Sequence, residues 1–295
     1  MAETLDVPTI LGIKIEANLV EAWATWLAPT EQPFFVDDAS EWPEGHAGPA
    51  TGLSPELRDT FKVWRLRDRG ELVWFNDQAF AALDRDRRRR LVRTQVDRGR
   101  GAVPLVRRWS NVLDVNALRA QVDGHRFVWW PSMVAQRPEL VLAHFAAEEG
   151  DRARHRSVAS TTWRACEVVL PRARELAGTF AIGSGPNCFG TVMAAAGVDG
   201  AAKEWMEQAP FDRWLEAACV AGGRDYDPGT VLVWRNSAGL PVHAAVTIGS
   251  GYALEKPAQT WWTPRIVATV TEVKRASRAA GQRLERHRIV DPEPR

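Results

Sequence analysis

Three residues in the C-terminal half have the side chains of a nucleophile, a general base and an orienting acid. Cys188 follows a Gly-Pro loop at the predicted start of a helix, and His243 and Glu255 lie on two neighbouring predicted strands. The positive end of a helix dipole lowers the pKa of a thiol and favours the nucleophilic thiolate. A short GSG turn between antiparallel strands brings their ends together, so that Glu255 can orient the imidazole of His243. These groups in this order predict acyl transfer through a thioester.

The elements that must position these residues are helices followed by a sheet. Apolar residues at spacings of three and four predict a helix from Trp163 to Ala177, which Pro171 should kink or split. A short helix over 187–197 should end at Gly197, and another should begin at Pro210 and stop at Gly222-Gly223. The chain then becomes β-rich with period two, which predicts an antiparallel meander with strands 231–234, 241–248, 252–255 and 265–273. Helices followed by a meander predict an α+β domain.

Three segments surround the candidate residues: ARELAGTFAIGSGPNCFG (173–190), PGTVLVW (228–234) and HAAVTIGSGYALE (243–255). Together they resemble the NlpC-type branch of the papain-like cysteine peptidases. The first is similar to that family's helix, Gly-x-Tyr-x-x-Gly loop and Asp-Cys-Ser-Gly motif. The second and third are similar to its Pro-Gly-Asp-Leu-Val-Phe-Phe strand and its His-Val-Gly-Ile-Tyr-Leu-Gly pattern. The resemblance covers roughly residues 158–275 and implies that Cys188, His243 and Glu255 are nucleophile, base and third residue.

Four residues depart from the family pattern. Phe180 replaces a tyrosine whose hydroxyl is thought to stabilise the oxyanion, Asn187 and Phe189 replace the Asp and Ser that flank the cysteine, and Thr230 replaces the Asp of Pro-Gly-Asp. Loss of the tyrosine hydroxyl need not abolish activity, because backbone N–H groups at a helix start can bind an oxyanion. The family usually cleaves cell-wall peptides outside the cell. Since MAETLDVPTILGIKIE shows no secretory signal, an intracellular amidase or acyltransferase fits better.

Four aromatic residues near the predicted sheet ends are candidate substrate-binding residues, with core packing as the alternative: Trp234, Tyr252, Trp261 and Trp262. Cys166 and Cys219 occupy apolar helix positions and are expected in the core. The other five histidines have no metal-ligand spacing, so we predict no metal. The glycine-containing run 185–191 lacks the lysine of a phosphate-binding loop, and we predict no cofactor.

The first 150 residues read as a mixed α/β domain. FKVWRL (61–66) and ELVWF (71–75) predict a hairpin, and Asp77 is a candidate helix cap. HRFVWW (125–130) predicts a buried strand, and a further helix should begin at Pro138. We expect residues 1–150 to form a cap or substrate-recognition domain, and residues 151–295 to form a papain-like catalytic domain.

Charge is distributed unevenly along this N-terminal half. Residues 31–59 carry seven acids, and residues 85–108 carry ten arginines, although the formal net charge of the whole chain is +1. The arginine-rich run reads as a solvated helix face that pairs with the acidic segment. Because the overall charge is near zero and no nucleic-acid-binding motif is present, we predict no nucleic-acid partner.

The sequence therefore predicts a cytoplasmic cysteine-dependent amidase, peptidase or acyltransferase that acts through a thioester. Its partner would be a small-molecule or peptide amide or ester, and the absence of a long apolar run predicts no membrane association. Three cysteines, an odd number, fit a reducing compartment. The alternative is a catalytically inactive papain-like module that binds a partner through its Trp-rich N-terminal half.

Overall fold

The computed structural model describes residues 8–49, 51–65, 70–147 and 153–290. The chain divides into two compact units, Met1–Glu148 and Glu149–Arg295. The fold is α+β, and the strand pairs in the described residues are antiparallel. Over the same ranges, the helices are too short or too polar to cross a membrane.

The N-terminal unit surrounds a small sheet with short helices. Its helices are α1 (Ala17–Leu27), α2 (Pro55–Phe61), α3 (Asp77–Ala82), α4 (Arg85–Asp97), α5 (Val106–Trp109), α6 (Val115–Gln121), α7 (Pro131–Ala135) and α8 (Pro138–Ala147). Its strands are β1 (Thr9–Ile10), β2 (Ile13–Lys14), β3 (Glu31–Val36), β4 (His46–Ala47) and β5 (Glu71–Asn76). β5 lies between β3 and β4, and β1 pairs with β2. The helix predicted from Pro138 is confirmed as α8.

The predicted hairpin of 61–66 and 71–75 is wrong in its first strand. Ser54 caps α2, which begins at Pro55 and extends through Phe61, and Lys62 then ends it in a left-handed conformation with φ of 53°. Residues 66–69, where the first strand would end and the turn would form, lie outside the described residues. The second strand is present as β5, but it pairs with β3 and β4.

Two other N-terminal predictions are corrected. The cap of α3 is Asn76 rather than Asp77, since the Asn76 side chain accepts the N–H of Ala79 at 2.8 Å. Residues 127–130 are buried but belong to no ladder. The side-chain amide of Gln121 takes the place of a partner strand, accepting the Val128 N–H at 2.8 Å and donating to the Val128 carbonyl at 3.0 Å.

The pairing of the arginine-rich run with the acidic segment is confirmed. On α4, Arg87 forms an ion pair with Glu44, and Arg90 lies 3.7 Å from the carboxylate of Glu41. The guanidinium groups of Arg87 and Arg90 also lie 5.0 and 5.1 Å from the ring centroid of Trp42. Arg87 and Arg90 therefore make contacts within the N-terminal unit.

Arg100 is the buried member of this arginine-rich run. Its guanidinium donates to the carbonyl of Pro33 at 2.7 Å and to Oε1 of Gln32 at 2.8 Å. The rings of Phe34 and Phe61 lie 4.5 and 4.4 Å away and shield it from water. The planar guanidinium has several N–H donors and can bond to these acceptors at the same time. A lysine ammonium at this position could not bond to all of them.

The C-terminal unit contains the candidate residues. Its helices are α9 (Ser160–Glu167), α10 (Ala173–Leu176), α11 (Cys188–Ala195), α12 (Gln208–Ala218) and α13 (Val270–Ala276). Its strands are β6 (Cys219–Ala221), β7 (Pro228–Arg235), β8 (Pro241–Gly249), β9 (Tyr252–Glu255), β10 (Ile266–Thr269) and β11 (Arg283–Ile289). They form one sheet in the order β10-β9-β8-β7-β11-β6.

The predicted meander is confirmed as β7 to β10, and the predicted break near Pro171 separates α9 from α10. Three details differ. Residues 219–221 form β6 rather than the end of α12, because they pair with β11. The last predicted strand stops at Thr269, whose side chain and Glu272 form a capping box that begins α13. β11 was not predicted.

Helix α11 packs on one face of this sheet. The core there contains Val192 with Val231, Val233, Ala244 and Val246. The other face carries a second cluster, which contains Val270 and Val273 of α13. Apolar side chains on β7 and β8 point alternately to the two faces of the sheet, so that a helix can pack on each face. This packing holds α11 against the strand that carries His243.

We expect Arg100→Lys to destabilise the N-terminal unit by about 2–3 kcal/mol, because it leaves buried oxygens without a donor. The matched control is Arg93→Lys, an exposed arginine of α4, which should change stability by less than about 0.5 kcal/mol. Urea unfolding measures both variants. Equal midpoints for the two would show that Arg100 does not hold this unit together.

Candidate active site

Cys188 is the first residue of α11, the position expected for a thiol activated by a helix N-terminus. It is 8% exposed. The preceding residue, Asn187, caps the helix by accepting the N–H of Gly190 at 3.1 Å. An added Cβ on Gly190 would collide with the carbonyl of Ala201, so glycine allows the turn at 201–203 to pack closely on this end of α11.

The structure explains why asparagine suits the position before the cysteine. While Oδ1 of Asn187 accepts from Gly190, its Nδ2 donates to the carbonyl of Met206 at 2.8 Å. An aspartate can cap the helix but cannot donate this second bond. The amide thus joins the cysteine-bearing helix to the segment before α12.

His243 and Glu255 face each other across β8 and β9. The Nε2 atom of His243 lies 2.9 Å from Oε2 of Glu255. The Glu255 side chain is 1% exposed, and that of His243 is 15% exposed. The two residues lie diagonally across the strand pair, since register places Val246 opposite Leu254. The short turn at 250–251 therefore brings the acid to the base, as the spacing predicts.

Cys188 completes this arrangement from the α11 side. Burial of His243 opposes its protonation, but the electrostatic effect of Cys188 and the hydrogen bond to Glu255 outweigh that effect. Together they raise the pKa of His243 to about 10. The structure therefore brings the three predicted residues together.

The other two cysteines have a different environment. Burial raises the pKa of Cys166 to about 12, with a smaller contribution from Glu167, and burial raises the pKa of Cys219 to about 12 as well. Both thiols are free and remain protonated near neutral pH. Their placement in or against the core agrees with the sequence interpretation.

Lys256, the residue after Glu255, was not singled out from the sequence. It is fully buried, and its ammonium donates to the carbonyls of Ala258, Thr260 and Thr263 at 2.6, 3.0 and 2.9 Å. A buried cation needs such acceptors, and here they come from one loop, residues 257–263. A single lysine followed by Pro, Ala, Gln and Thr gives no sequence pattern, so this contact was not predictable.

The loop organised by Lys256 also contacts the segment that leads into Cys188. The carbonyl of Gln259 accepts the N–H of Gly185 at 2.9 Å, and the hydroxyl of Ser184 accepts the N–H of Trp261 at 3.2 Å. The loop that follows Glu255 is thus held together by Lys256 and joined by two hydrogen bonds to the segment before Cys188.

The four candidate aromatic residues occupy different places. Trp234 lies beside the catalytic candidate His243, with ring centroids 5.3 Å apart. Trp261 and Trp262 are 0% and 4% exposed and contact each other edge to face. Tyr252 is at the opposite end of β9 from Glu255 and packs partly against the core. The structure therefore brings Trp234 into contact with the histidine.

Comparison of the chain with protein-family models, with curated proteins and with solved structures found no match. The interpretation of the site consequently depends on its own geometry and chemistry.

We expect iodoacetamide to label Cys188 at pH 7 about tenfold or more faster in wild type than in His243→Ala. The raised pKa of His243, about 10, keeps the imidazolium beside the sulfur at this pH, and the positive charge favours the nucleophilic thiolate. Mass spectrometry of the labelled peptides measures the rates.

Cys166 and Cys219 provide internal controls for this experiment, because their raised pKa values keep them unreactive. Cys188→Ala should leave almost no labelling at neutral pH. Equal labelling rates of Cys188 in wild type and in His243→Ala would contradict the ion pair.

We expect Lys256→Met to speed hydrogen exchange in both 257–263 and 182–187, because it removes the donor of three buried carbonyls, a loss of about 3 kcal/mol. The exposed Lys203→Met is the matched control and should leave both segments unchanged. Faster exchange confined to 257–263 would show that the loop does not hold the segment before Cys188.

Proposed function

We propose that the protein is a papain-like cysteine amidase, peptidase or acyltransferase that works through a thioester on Cys188. The observation that carries the proposal is one partly buried histidine that is hydrogen-bonded to a buried carboxylate and whose pKa is raised by a helix-terminal cysteine. These are the nucleophile, base and orienting group that acyl transfer requires. The helix α11 packed on an antiparallel sheet supports the papain-like interpretation.

In the first step, the thiolate of Cys188 attacks the carbonyl carbon of an amide or ester and forms a tetrahedral intermediate. As the intermediate collapses, the imidazolium of His243 gives its proton to the leaving nitrogen or oxygen. The neutral imidazole then takes a proton from water or an amine that attacks the thioester. Glu255 holds the ring and stabilises its cationic form through both steps.

The backbone at the start of α11 offers donors for the oxyanion. The first N–H groups of a helix have no carbonyl partner within it, and the Asn187 side chain accepts that of Gly190. The N–H groups of Cys188 and Phe189 remain for a ligand. They can stabilise the oxyanion without the hydroxyl group that a tyrosine in place of Phe180 would provide.

The remaining parts of the proposal concern location and the first 150 residues. Three free thiols suit a reducing, cytoplasmic compartment. We assign substrate recognition to the N-terminal unit. Five of its eight tryptophans, including Trp23, Trp109 and Trp129, are buried, whereas Trp64 is 49% exposed. Most of them are core residues, which gives little support to the alternative of a binding module that uses a tryptophan surface.

We expect turnover of p-nitrophenyl acetate to fall in the order wild type, Glu255→Gln, Glu255→Ala, then Cys188→Ala or His243→Ala near background. Gln keeps a hydrogen bond to the ring but not the charge that stabilises the imidazolium, and Ala keeps neither. The loss in Glu255→Ala should be about 10²-fold or more. Intact-protein mass spectrometry should detect one acetyl group on Cys188.

Glu285→Gln and Glu285→Ala are matched controls, because Glu285 is a partly buried carboxylate that lies 3.4 Å from another histidine, His287. They should turn over at the wild-type rate. Undiminished turnover in Glu255→Ala would remove Glu255 from the site. The absence of acetyl-Cys188 in wild type would contradict the proposed function as a whole.

A further inference from the structure

A large aromatic side chain is exposed beside the loop that leads into Cys188. Trp205 lies between α11 and α12 and is 53% exposed, whereas the next residue, Met206, is buried in the core. An added Cβ on Gly185 would lie 3.8 Å from Cβ and 4.0 Å from Cε3 of Trp205. The indole side chain therefore lies against the loop before the nucleophile, and about half of it remains open to solvent.

One hydrogen bond fixes how close this side chain is to the nucleophile. The Nδ2 atom of Asn187 donates to the carbonyl of Met206 at 2.8 Å. Asn187 directly precedes Cys188, and Met206 directly follows Trp205. The thiol and the indole thus stem from neighbouring points of the fold, so that one small-molecule substrate can contact both.

The exposure of Trp205 sets it apart from most tryptophans of the C-terminal unit. A half-exposed indole leaves a large apolar area in water, and covering it with an apolar ligand is favourable. Ile182, on the loop that carries Gly185, is exposed as well. Large apolar side chains are thus presented by two of the segments around the start of α11. Four of the other five tryptophans of the unit are buried: Trp163, Trp234, Trp261 and Trp262.

The position of Trp205 decides which part of a substrate can cover it. In the thioester the acyl group is bonded to Sγ of Cys188, whereas the leaving group departs with a proton from His243. Trp205 lies against the loop that ends at Cys188. The acyl group is therefore the part of the substrate that is held next to the indole.

We propose that Trp205 is a specificity residue of the acyl subsite and that it selects substrates whose acyl group carries an aromatic or other large apolar side chain near the carbonyl. The inference rests on the proposed thioester chemistry. In acylation by an ester, the thiolate sulfur attacks the carbonyl carbon and the S–C bond forms. The C–O bond breaks, and the leaving oxygen takes its electron pair and the proton of His243. The acyl group then stays beside Trp205 until water or an amine attacks it.

The test compares three esters with the same leaving group: p-nitrophenyl acetate, phenylacetate and 3-phenylpropanoate. Release of p-nitrophenolate gives kcat/KM for acylation, and intact-protein mass spectrometry identifies the acyl group on Cys188. The ratio of each aromatic ester to acetate is compared among variants, so that differences in intrinsic ester reactivity cancel. The two aromatic esters place the ring at different distances from the carbonyl and find the separation that best reaches Trp205.

We expect the wild-type ratio for the better aromatic ester to exceed that of Trp205→Ala by about tenfold, because the variant loses the ring contact and the apolar area buried with it. Trp205→Phe should keep most of the ratio. Turnover of the acetate ester should stay near wild type in both variants, since an acetyl group is too small to cover the indole.

The matched control is Tyr226→Ala, which removes another exposed aromatic side chain of the same unit. The Tyr226 ring lies near Gly251, in the turn after β8, whereas His243 is near the start of that strand. This variant should keep the wild-type ratio.

The outcomes separate the two proposals. If no ester acylates Cys188 in wild type, the proposed function fails, and the subsite fails with it. If acyl-Cys188 forms but Trp205→Ala keeps the wild-type ratio for both aromatic esters, the subsite is wrong while the chemistry stands. An equal fall of acetate and aromatic turnover in Trp205→Ala would also overturn the subsite, because Trp205 would then act on the nucleophile and not on the acyl group. The same holds for an equal fall of the ratio in Tyr226→Ala.

Discussion

A protonated imidazole in buried surroundings requires negative groups in contact with it, and this requirement governs the arrangement of the C-terminal unit. Glu255 supplies one such group across the strand pair, and Cys188 supplies the other from the end of α11. Neither partner alone offsets the desolvation of the cation as well as both do. Strand register, the short turn at 250–251 and the packing of α11 on β8 are the structural means by which both reach His243.

Further hydrogen bonds hold the elements that carry Cys188 and Glu255 in place. Asn187 ties the start of α11 to the segment before α12, and Lys256 ties the chain after Glu255 into a compact loop. Ser184 joins that loop to the chain before Cys188. The nucleophile and the acid, far apart in sequence, are thus positioned by hydrogen bonds between side chains and the backbone. Small shifts of either would alter the geometry at the thiol, where catalysis is most sensitive.

The parts of the fold that sequence could predict are those with a local physical signal. Period-two segments predicted β7, β8 and β9, and the Gly-Pro loop before Cys188 together with Gly197 predicted the bounds of α11. The structure of short segments depends on distant partners. Residues 219–221 continue the helical periodicity of α12 in sequence, yet they form β6 because they pair with β11. Residues 127–130 are extended because the side chain of Gln121 bonds to Val128. The triad residues could be chosen by type and order. The carbonyl acceptors around Lys256 could not, because backbone groups have no sequence signature.

The central claim is that His243 is an imidazolium paired with the Cys188 thiolate and held by Glu255. The most direct measurement is a pH titration of the His243 ring nitrogens by ¹⁵N NMR in wild type and in Cys188→Ala. The account predicts a wild-type imidazole protonated at both nitrogens beyond pH 8, and a pKa that falls when the thiolate is removed. A wild-type His243 that is neutral at pH 7, or one whose titration is unchanged in Cys188→Ala, would contradict it.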